Sequence, residues 1–305
     1  MSENKLITIL GATATGKTTV AVALADRMNS EIISADSRQV YRGMDLGTGK
    51  DIEEYTVNGK HISYHIIDIV DAGYKYNVYE YQKDFLEAYN IISEKGKTPI
   101  LCGGTGMYID AVTKGYKLID VPDNMELRDR LEQKSLSELE TILKTYKSIH
   151  NKSDFDTEKR AIRAIEIQEY YLSHPEISID YPKFETLFIG IDVSRNIRRK
   201  RISSRLKTRL EDGMIDEVKM LIDSGIKPED LIYYGLEYKF LTMHVTGQIN
   251  YNDMFQKLES AIHQFAKRQM TWYRRMERQG AEIHWIDGRL PIEEKIDEIM
   301  QLFTA

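Results

Sequence analysis

The feature that most constrains this chain is a glycine-rich turn close to its start. Residues 11–18 read GATATGKT, which fits the pattern G-x-x-x-x-G-K-[ST], and they separate an apolar run from a helical pattern. Backbone N–H groups in such a turn converge on phosphate oxygens, and the N-terminus of the following helix adds positive potential. The lysine neutralises phosphate charge, and the hydroxyl after it can bind Mg²⁺. The sequence therefore predicts a di- or triphosphate site formed by Gly11, Ala12, Thr13, Ala14, Thr15, Gly16, Lys17 and Thr18.

The order of apolar runs and helical patterns predicts an α/β fold. Strands are expected at residues 5–10, 31–34, 63–70, 98–102, 187–193 and 283–286, and helices at 18–28, 78–93 and from 107 onward. A mostly parallel sheet flanked by helices, as in P-loop NTPases, accounts for this alternation. Between Pro122 and Pro182 the pattern becomes purely helical, at residues 124–134, 137–146 and 157–172. We predict a catalytic core of residues 1–121 and 184–305, including the C-terminal helices, interrupted by an all-helical subdomain of residues 122–183.

Composition narrows the class of protein. With 42% hydrophobic and 30% charged residues, the chain of 305 residues has a globular composition. It has no apolar run near the roughly 18 residues of a membrane span, and its start lacks the pattern of a signal peptide. A single cysteine, Cys102, excludes an internal disulfide and a multi-cysteine zinc site. We expect a cytoplasmic protein without a membrane partner.

The net charge of −6 conceals an uneven distribution of basic residues. The segment 195–209 holds eight basic residues and no acidic one, and four of the eight recur at helical spacing: Arg198, Arg201, Arg205 and Arg209. Such a stripe is usually a solvated face, but this density of positive charge favours contact with RNA. A second cluster predicts the same and comprises Lys267, Arg268, Arg274, Arg275 and Arg278. Trp272, inside that cluster, is expected to pack in the core.

Two acidic residues and a second glycine turn follow predicted strands. A strand adjacent to the first would bring Asp36 to the carboxyl edge of the sheet, where it could hold Mg²⁺ through water or accept a proton. A helix N-cap is an equally good interpretation of Asp36. Asp68 resembles the acidic end of a Walker B strand and keeps an ordinary NTPase open. The turn GGTG at 103–106 is typical of a loop over a substrate.

Five segments in a fixed order resemble one known family. They are the phosphate loop, DSRQVYRGMDLGTGK at 36–50, GGTGMYI at 103–109, P-x-N-x-E-L-R at 122–128 and AKRQMTW at 266–272. This order is similar to that of the bacterial tRNA dimethylallyltransferases (tRNA isopentenyltransferases), over residues 10–287. The resemblance implies transfer of a dimethylallyl group from its diphosphate to the exocyclic N6 amine of the adenosine 3′ to the anticodon, in tRNAs that read codons beginning with U. Diphosphate is then released.

The resemblance also implies roles for individual residues. Asp36 would be the general base on the adenine amine, Thr18 would contact the donor and hold Mg²⁺, and Arg205 would clamp the diphosphate. The residues implied to contact tRNA are Asp36, Ser37, Arg38, Gln39, Thr105, Arg128, Lys159, Arg160, Ala161, Ile162 and Arg163. The target base must leave its stack to reach the donor. The implied partners are the anticodon stem-loop of tRNA and dimethylallyl diphosphate, and the protein is expected to be a monomer.

The chain departs from the family in two segments, and other activities stay open. Ala12 and Thr15 replace a common proline and serine, while Leu236 and Glu237 replace an aromatic and a basic residue in a run that contacts tRNA. Prenyl transfer to free AMP, ADP or ATP is one alternative, although the helical insert and the basic stripe favour tRNA. Phosphoryl transfer or NTP hydrolysis is a second. A non-enzymatic RNA-binding module would leave the phosphate loop without a role.

Overall fold

A computed structural model of the chain describes residues 4–146, 155–175 and 180–304. Its strands are β1 (Lys5–Leu10), β2 (Ile32–Ser34), β3 (Tyr41–Arg42), β4 (Thr56–Val57), β5 (Lys60–His61), β6 (Tyr64–His65), β7 (Val70–Asp71), β8 (Ile100–Gly103), β9 (Glu185–Asp192) and β10 (Ile283–Asp287). Its helices are α1 (Lys17–Met28), α2 (Val78–Glu94), α3 (Gly106–Thr113), α4 (Met125–Glu132), α5 (Leu136–Tyr146), α6 (Glu158–Ser173), α7 (Arg195–Glu211), α8 (Met214–Asp223), α9 (Pro228–Tyr233), α10 (Leu236–Val245), α11 (Tyr251–Arg278) and α12 (Ile292–Thr304). None of the helices in these ranges is both long and apolar enough to cross a membrane.

The main sheet is parallel throughout, in the order β10–β9–β1–β8–β2–β6. The predicted α/β class with a mostly parallel sheet is confirmed. The expectation that the strand carrying Asp36 pairs with the first strand was wrong, because β8 lies between β1 and β2. All four residues of β8 are buried, so this strand needs partners on both sides. The carboxyl ends of β1, β8 and β2 nevertheless lie side by side, and Asp36 follows directly.

The strand predicted at residues 63–70 is interrupted. Only β6 joins the main sheet, because Ile66 and Asp68 have positive φ angles of 62° and 56° and turn the chain away. The buried ammonium group of Lys50 binds the carboxylates of Asp68 and Asp45 and, at 2.5 Å, the carbonyl of Tyr41. Asp68 therefore faces Lys50 and does not line the phosphate cavity, so its likeness to a Walker B residue was misleading.

The sheet carries the main hydrophobic core. Ile7 and Ile9 of β1, Ile100 of β8 and Ile189 of β9 are fully buried and pack with the apolar face of α1. This alternation of β-branched strands and amphipathic helices is what the sequence pattern predicts. The core holds the carboxyl edge of the sheet rigid, which fixes the positions of the loops that follow β1, β2 and β8.

Residues 117–181 form a compact unit of their own, where the sequence predicts a helical subdomain at 122–183. Leu127, Leu131, Leu139, Leu143 and Ile165 build its core between α4, α5 and α6. The buried carboxylate of Glu166 accepts hydrogen bonds from the guanidinium groups of Arg128 and Arg163 and from the backbone amide of Asn124. These bonds outweigh the effect of burial and lower the pKa of Glu166. The unit therefore has both an apolar core and a charged clamp, formed by Glu166 with Arg128 and Arg163.

Candidate active site

The phosphate loop joins β1 to α1 and leaves the start of that helix open. Gly11 packs so closely that a Cβ there would lie 2.5 Å from the carbonyl oxygen of Ile191. Gly16, at φ 91°, turns the chain into α1, and Thr15 closes the loop from beneath by donating to the carbonyl of Ala12 at 2.9 Å. No side chain caps α1. Its first N–H groups are therefore available to an anion.

Two cations and a hydroxyl line the cavity above this loop. Lys17, Thr18 and Arg205 all face it. Burial lowers the pKa of Lys17, an effect that the neighbouring Asp36 carboxylate opposes. Burial also lowers the pKa of Arg205 to about 10, so the guanidinium stays charged at neutral pH, and it donates a hydrogen bond to the hydroxyl of Thr13. Buried cations around open N–H groups favour a diphosphate.

Each arginine of the α7 stripe has a hydrogen-bond partner within the protein, although Arg201 is also exposed to solvent. Besides the Arg205 bond, Arg198 binds the Asp192 carboxylate at 2.8 Å, and Arg201 donates to the carbonyl of Thr15 at 3.4 Å. Arg209, 9% exposed, binds the Asp51 carboxylate at 2.8 Å. Helical spacing shows that the four arginines share a face but not where that face points. Here it meets the carboxyl edge of the sheet and the phosphate loop.

Asp36 lies on the wall of two cavities. It lines the phosphate cavity and also an adjoining cavity of about 470 Å³. One oxygen of its carboxylate accepts a hydrogen bond from the backbone amide of Arg38 at 3.0 Å. No other hydrogen bond to that carboxylate is seen within the described ranges. Asp36 is therefore placed to accept a proton from a ligand in the second cavity, next to the phosphates.

The second cavity brings together several residues that the sequence predicts to contact tRNA. Ser37, Arg38 and Thr105 line it with Asp36, and the backbone amide of Ser37 donates to the hydroxyl of Thr105 at 3.0 Å. Gln39 instead lines the phosphate cavity, where its side chain bonds Ser34 and the carbonyl of Gly49. The loops after β2 and β8 are thus tied together around one space.

Aromatic and apolar groups form the opposite wall of the second cavity. Trp272 lines it, with its indole N–H donating to the Asp110 carboxylate at 2.9 Å and the Arg275 guanidinium 4.4 Å from its ring centre. Trp272 is half-buried rather than packed in the core, so that expectation was wrong in part. Met107 and Phe265 also line the cavity and are 43% and 38% exposed. A wall of this kind suits a flat aromatic ligand.

Gln269 has a role that sequence reasoning missed. Its amide oxygen accepts from the backbone N–H of Thr13 at 2.8 Å, and its amide nitrogen donates to the carbonyl of Gly104 at 2.9 Å. One turn further along α11, the Tyr273 hydroxyl donates to the carbonyl of Gly11 at 3.2 Å. These two side chains tie the phosphate loop to the GGTG turn. The available signal was a polar residue, 6% exposed, at an apolar position of the α11 pattern.

In the helical unit the predicted tRNA contacts fall into three groups. Lys159 and Arg160 are exposed, and Arg160 makes a surface ion pair with Asp156. Arg128 and Arg163 are occupied by Glu166. The side chains of Ala161 and Ile162 are 0% and 7% exposed within the core of the unit, so predicting that they contact tRNA was wrong. A run of five residues on a helix cannot turn every side chain to one ligand.

Oxygen donors lie near Thr18, the predicted Mg²⁺ residue. Glu54 lines the phosphate cavity and accepts a hydrogen bond from the Thr19 hydroxyl at 3.1 Å. Burial raises the pKa of Glu54, and the Asp51 carboxylate adds to this effect. Within the described part of the chain, no group of three or more His, Cys, Asp or Glu residues could hold a metal. Any ion here would take much of its coordination from a ligand phosphate and water.

Comparison with known proteins identifies relatives over the full length. Residues 39–276 match the family model described as IPP transferase. The tRNA dimethylallyltransferase 2 of Bacteroides fragilis is 61% identical over 99% of this chain and 98% of its own length. The tRNA dimethylallyltransferase 1 of Parabacteroides distasonis is also 61% identical, over 100% of this chain and 99% of its own length. The solved tRNA isopentenylpyrophosphate transferase of Bacillus halodurans is 32% identical, with a TM-score of 0.73 over 99% of this chain and 96% of its own length.

Proposed function

The chain belongs to the IPP transferase family, and from that premise we propose that it transfers a dimethylallyl group from dimethylallyl diphosphate to tRNA. The acceptor is the N6 amine of the adenosine 3′ to the anticodon, in tRNAs that read codons beginning with U. The observation that carries this proposal is the position of Asp36, which faces both the phosphate cavity and the larger cavity beside it. A donor and an acceptor in these two spaces would meet at Asp36.

The phosphate loop supplies the donor site in this proposal. The open N–H groups at the start of α1, the Lys17 ammonium and the Arg205 guanidinium surround the two phosphates. They neutralise the charge that develops on the diphosphate as it leaves, which is where electrostatic catalysis has its largest effect. Asp68 faces away from these groups, so the geometry gives no support to an ordinary NTPase.

The second cavity supplies the acceptor site. In this proposal a flipped adenine packs against Trp272 with its amine toward Asp36, both of which line this cavity. Flipping is required because the amine is not reachable in a stacked anticodon loop. The N6 nitrogen forms a bond to C1 of the dimethylallyl group while the bond from C1 to the diphosphate oxygen breaks. Asp36 then accepts the proton that the N6 nitrogen loses. The products are the prenylated adenosine and diphosphate.

We propose Mg²⁺ as the cofactor, held through the Thr18 hydroxyl with Glu54 close by. Oxygen donors of this kind fit Mg²⁺, which binds few protein groups and retains water and phosphate ligands. When bound, the ion would reduce the negative charge of the leaving diphosphate. Thr18, Lys17 and Arg205 orient the phosphates whether or not the ion is present.

The test is direct assay of transfer. The purified chain is incubated with dimethylallyl diphosphate, Mg²⁺ and unmodified tRNA, and the nucleosides of the digested tRNA are analysed by mass spectrometry. We expect one adenosine, 3′ to the anticodon, to gain a dimethylallyl group. AMP in place of tRNA and ATP in place of the donor serve as controls. Absence of modified adenosine, or faster modification of AMP than of tRNA, would overturn the proposal.

A further inference from the structure

Glu237 is a second carboxyl group in the acceptor cavity. It lies in the first turn of α10 and lines the same space as Asp36, Arg205 and Arg209. Its carboxylate makes no ion pair with another described residue and accepts a hydrogen bond from its own backbone amide. An acidic side chain that faces a site for two polyanionic substrates, without a protein partner, requires an explanation.

Charged groups from several elements line the same cavity as Glu237. They are Lys17 on α1, Asp36 and Arg38 after β2, Arg205 and Arg209 on α7, and Arg268 on α11. Burial disfavours the charge of Glu237 and raises its pKa, against the attraction of Arg205 and Arg209, while Asp36 acts in the same direction as burial. Arg209 is already paired with Asp51, which leaves Arg205 as the main counter-ion of Glu237.

A diphosphate on the phosphate loop would change this balance. Arg205 already contacts Thr13 of that loop, so it would become the counter-ion of the diphosphate. Glu237 would then lose part of the attraction of Arg205 and gain the repulsion of the new negative charges. A carboxylate in such surroundings responds by taking up a proton.

We propose that Glu237 takes up a proton when the donor diphosphate binds, which limits the negative charge in the cavity that receives the acceptor amine. This inference rests on the proposed function, since the ligand it requires is a diphosphate on the phosphate loop. The net step is binding of the diphosphate together with a proton from water, and no bond other than the O–H bond of Glu237 is formed.

The sign of the pH dependence follows from this linkage. At low pH Glu237 is protonated with and without donor, so Glu237→Gln should bind dimethylallyl diphosphate as the wild type does. At high pH Glu237 is ionised in both states, and the wild type should bind about tenfold more weakly than the variant, one pKa unit of displacement being a factor of ten. Between these limits the wild type should take up a fraction of a proton that the variant does not.

Calorimetric titration without tRNA measures both quantities. Dimethylallyl diphosphate is titrated into the full chain in buffers of different ionisation enthalpy, from about pH 5.5 to about pH 8.5. The buffer dependence gives the protons taken up, and the difference between wild type and Glu237→Gln removes the titration of the ligand itself. Glu282→Gln is the matched control, because the Glu282 side chain is 85% exposed and outside the cavity.

The outcomes separate this inference from the proposed function. The proposal is supported if the wild type takes up more protons than Glu237→Gln on binding the donor, and if the ratio of variant to wild-type affinity grows with pH. Equal proton uptake and a constant ratio overturn it while leaving the donor site intact. No binding by the wild type overturns both. If Glu237→Gln does not fold, carboxyl ¹³C NMR of glutamate-labelled wild type replaces it: one glutamate signal must move to its protonated position with donor, and no movement overturns the inference.

Discussion

At the scale of single residues, the proposed role of the Asp36 carboxylate is the one that can be tested most directly. Asp36→Asn keeps the oxygen that accepts the amide hydrogen bond of Arg38 and removes the capacity to take a proton. We expect kcat for tRNA prenylation to fall by about 10² to 10⁴, the usual contribution of a general base. Single-turnover assays measure the rate, and calorimetry measures the affinity for dimethylallyl diphosphate, which should change less than about threefold.

The control for this variant is Asp71→Asn, which alters a carboxylate 83% exposed and away from both cavities. It should leave the rate unchanged. A loss of donor affinity in Asp36→Asn as large as its loss of rate would assign Asp36 to the phosphates instead, and the base would have to be sought elsewhere in the cavity.

Single residues differ in how far the sequence could predict them. The phosphate loop was predictable because its residues are contiguous, and the local turn determines where each N–H group points. Gln269 and Glu237 were not, because they reach the cavities from helices more than two hundred residues along the chain. Ala161 and Ile162 were mistaken for tRNA contacts since a motif in sequence does not show which side of a helix is buried.

At the scale of elements, α11 connects the phosphate loop to the GGTG turn through hydrogen bonds. Gln269→Glu keeps an acceptor for the Thr13 amide but replaces the donor to Gly104 with a carboxylate that faces a carbonyl. We expect the affinity for dimethylallyl diphosphate to fall about tenfold, or about 1.4 kcal/mol, since one buried hydrogen bond is replaced by a repulsion whose cost lies in the range of roughly 1–3 kcal/mol. Calorimetry of donor binding checks this, with exposed Gln264→Glu on the same helix as control. Unchanged affinity beside a lowered melting temperature would leave Gln269 a purely stabilising role.

Glu31, directly before β2, links the sheet to the end of α2 and should make stability depend on pH. Burial would raise its pKa, but hydrogen bonds from Lys97, Lys95 and His65 outweigh this effect and lower the pKa to about 2. A depressed carboxyl pKa gives stability above its unfolded value of roughly 4.3, lost as pH falls toward the folded value. We expect the wild type to lose up to about 3 kcal/mol between about pH 5 and about pH 2 through this group.

Urea denaturation across that pH range measures the effect. In Glu31→Gln the free energy of unfolding should be lower at neutral pH and should vary less with pH than in the wild type. Glu94→Gln, an exposed carboxylate at the end of α2, is the control. A Glu31→Gln profile parallel to that of the wild type would show that the three partners do not stabilise the ionised carboxylate.

Elements were predictable in type more than in arrangement. The buried apolar runs of β1, β8 and β9 predict strands, but strand order depends on pairings between distant segments, so the position of β8 between β1 and β2 could not be deduced. After the break that follows β6, Asp68 binds Lys50, a buried cation 18 residues earlier in the chain. The period of hydrophobic residues carries no information on such a contact.

At the scale of the whole molecule, the polarity of the surface bears on tRNA binding. The net charge predicts little about tRNA binding, because the cations near the phosphate loop are paired with carboxylates or would bind the proposed donor. Only exposed cations are free to bind RNA. Among the helical-unit residues predicted to contact tRNA, these are Lys159 and Arg160, since Arg128 and Arg163 are held by Glu166. The exposed ion pair of Arg160 with Asp156 would compete only weakly with a phosphate.

The salt dependence of tRNA binding therefore distinguishes the two kinds of arginine. Replacing Lys159 and Arg160 together by Gln should weaken tRNA binding and reduce the slope of log K against log salt by roughly 0.7–0.9 per lost phosphate contact. Arg128→Gln should leave that slope unchanged and instead lower the melting temperature, because it leaves the buried carboxylate of Glu166 short of a partner. Filter binding over a salt series and thermal unfolding measure the two effects. A reduced slope in Arg128→Gln, with none in the double variant, would move the tRNA contact from the exposed cations to the charged clamp.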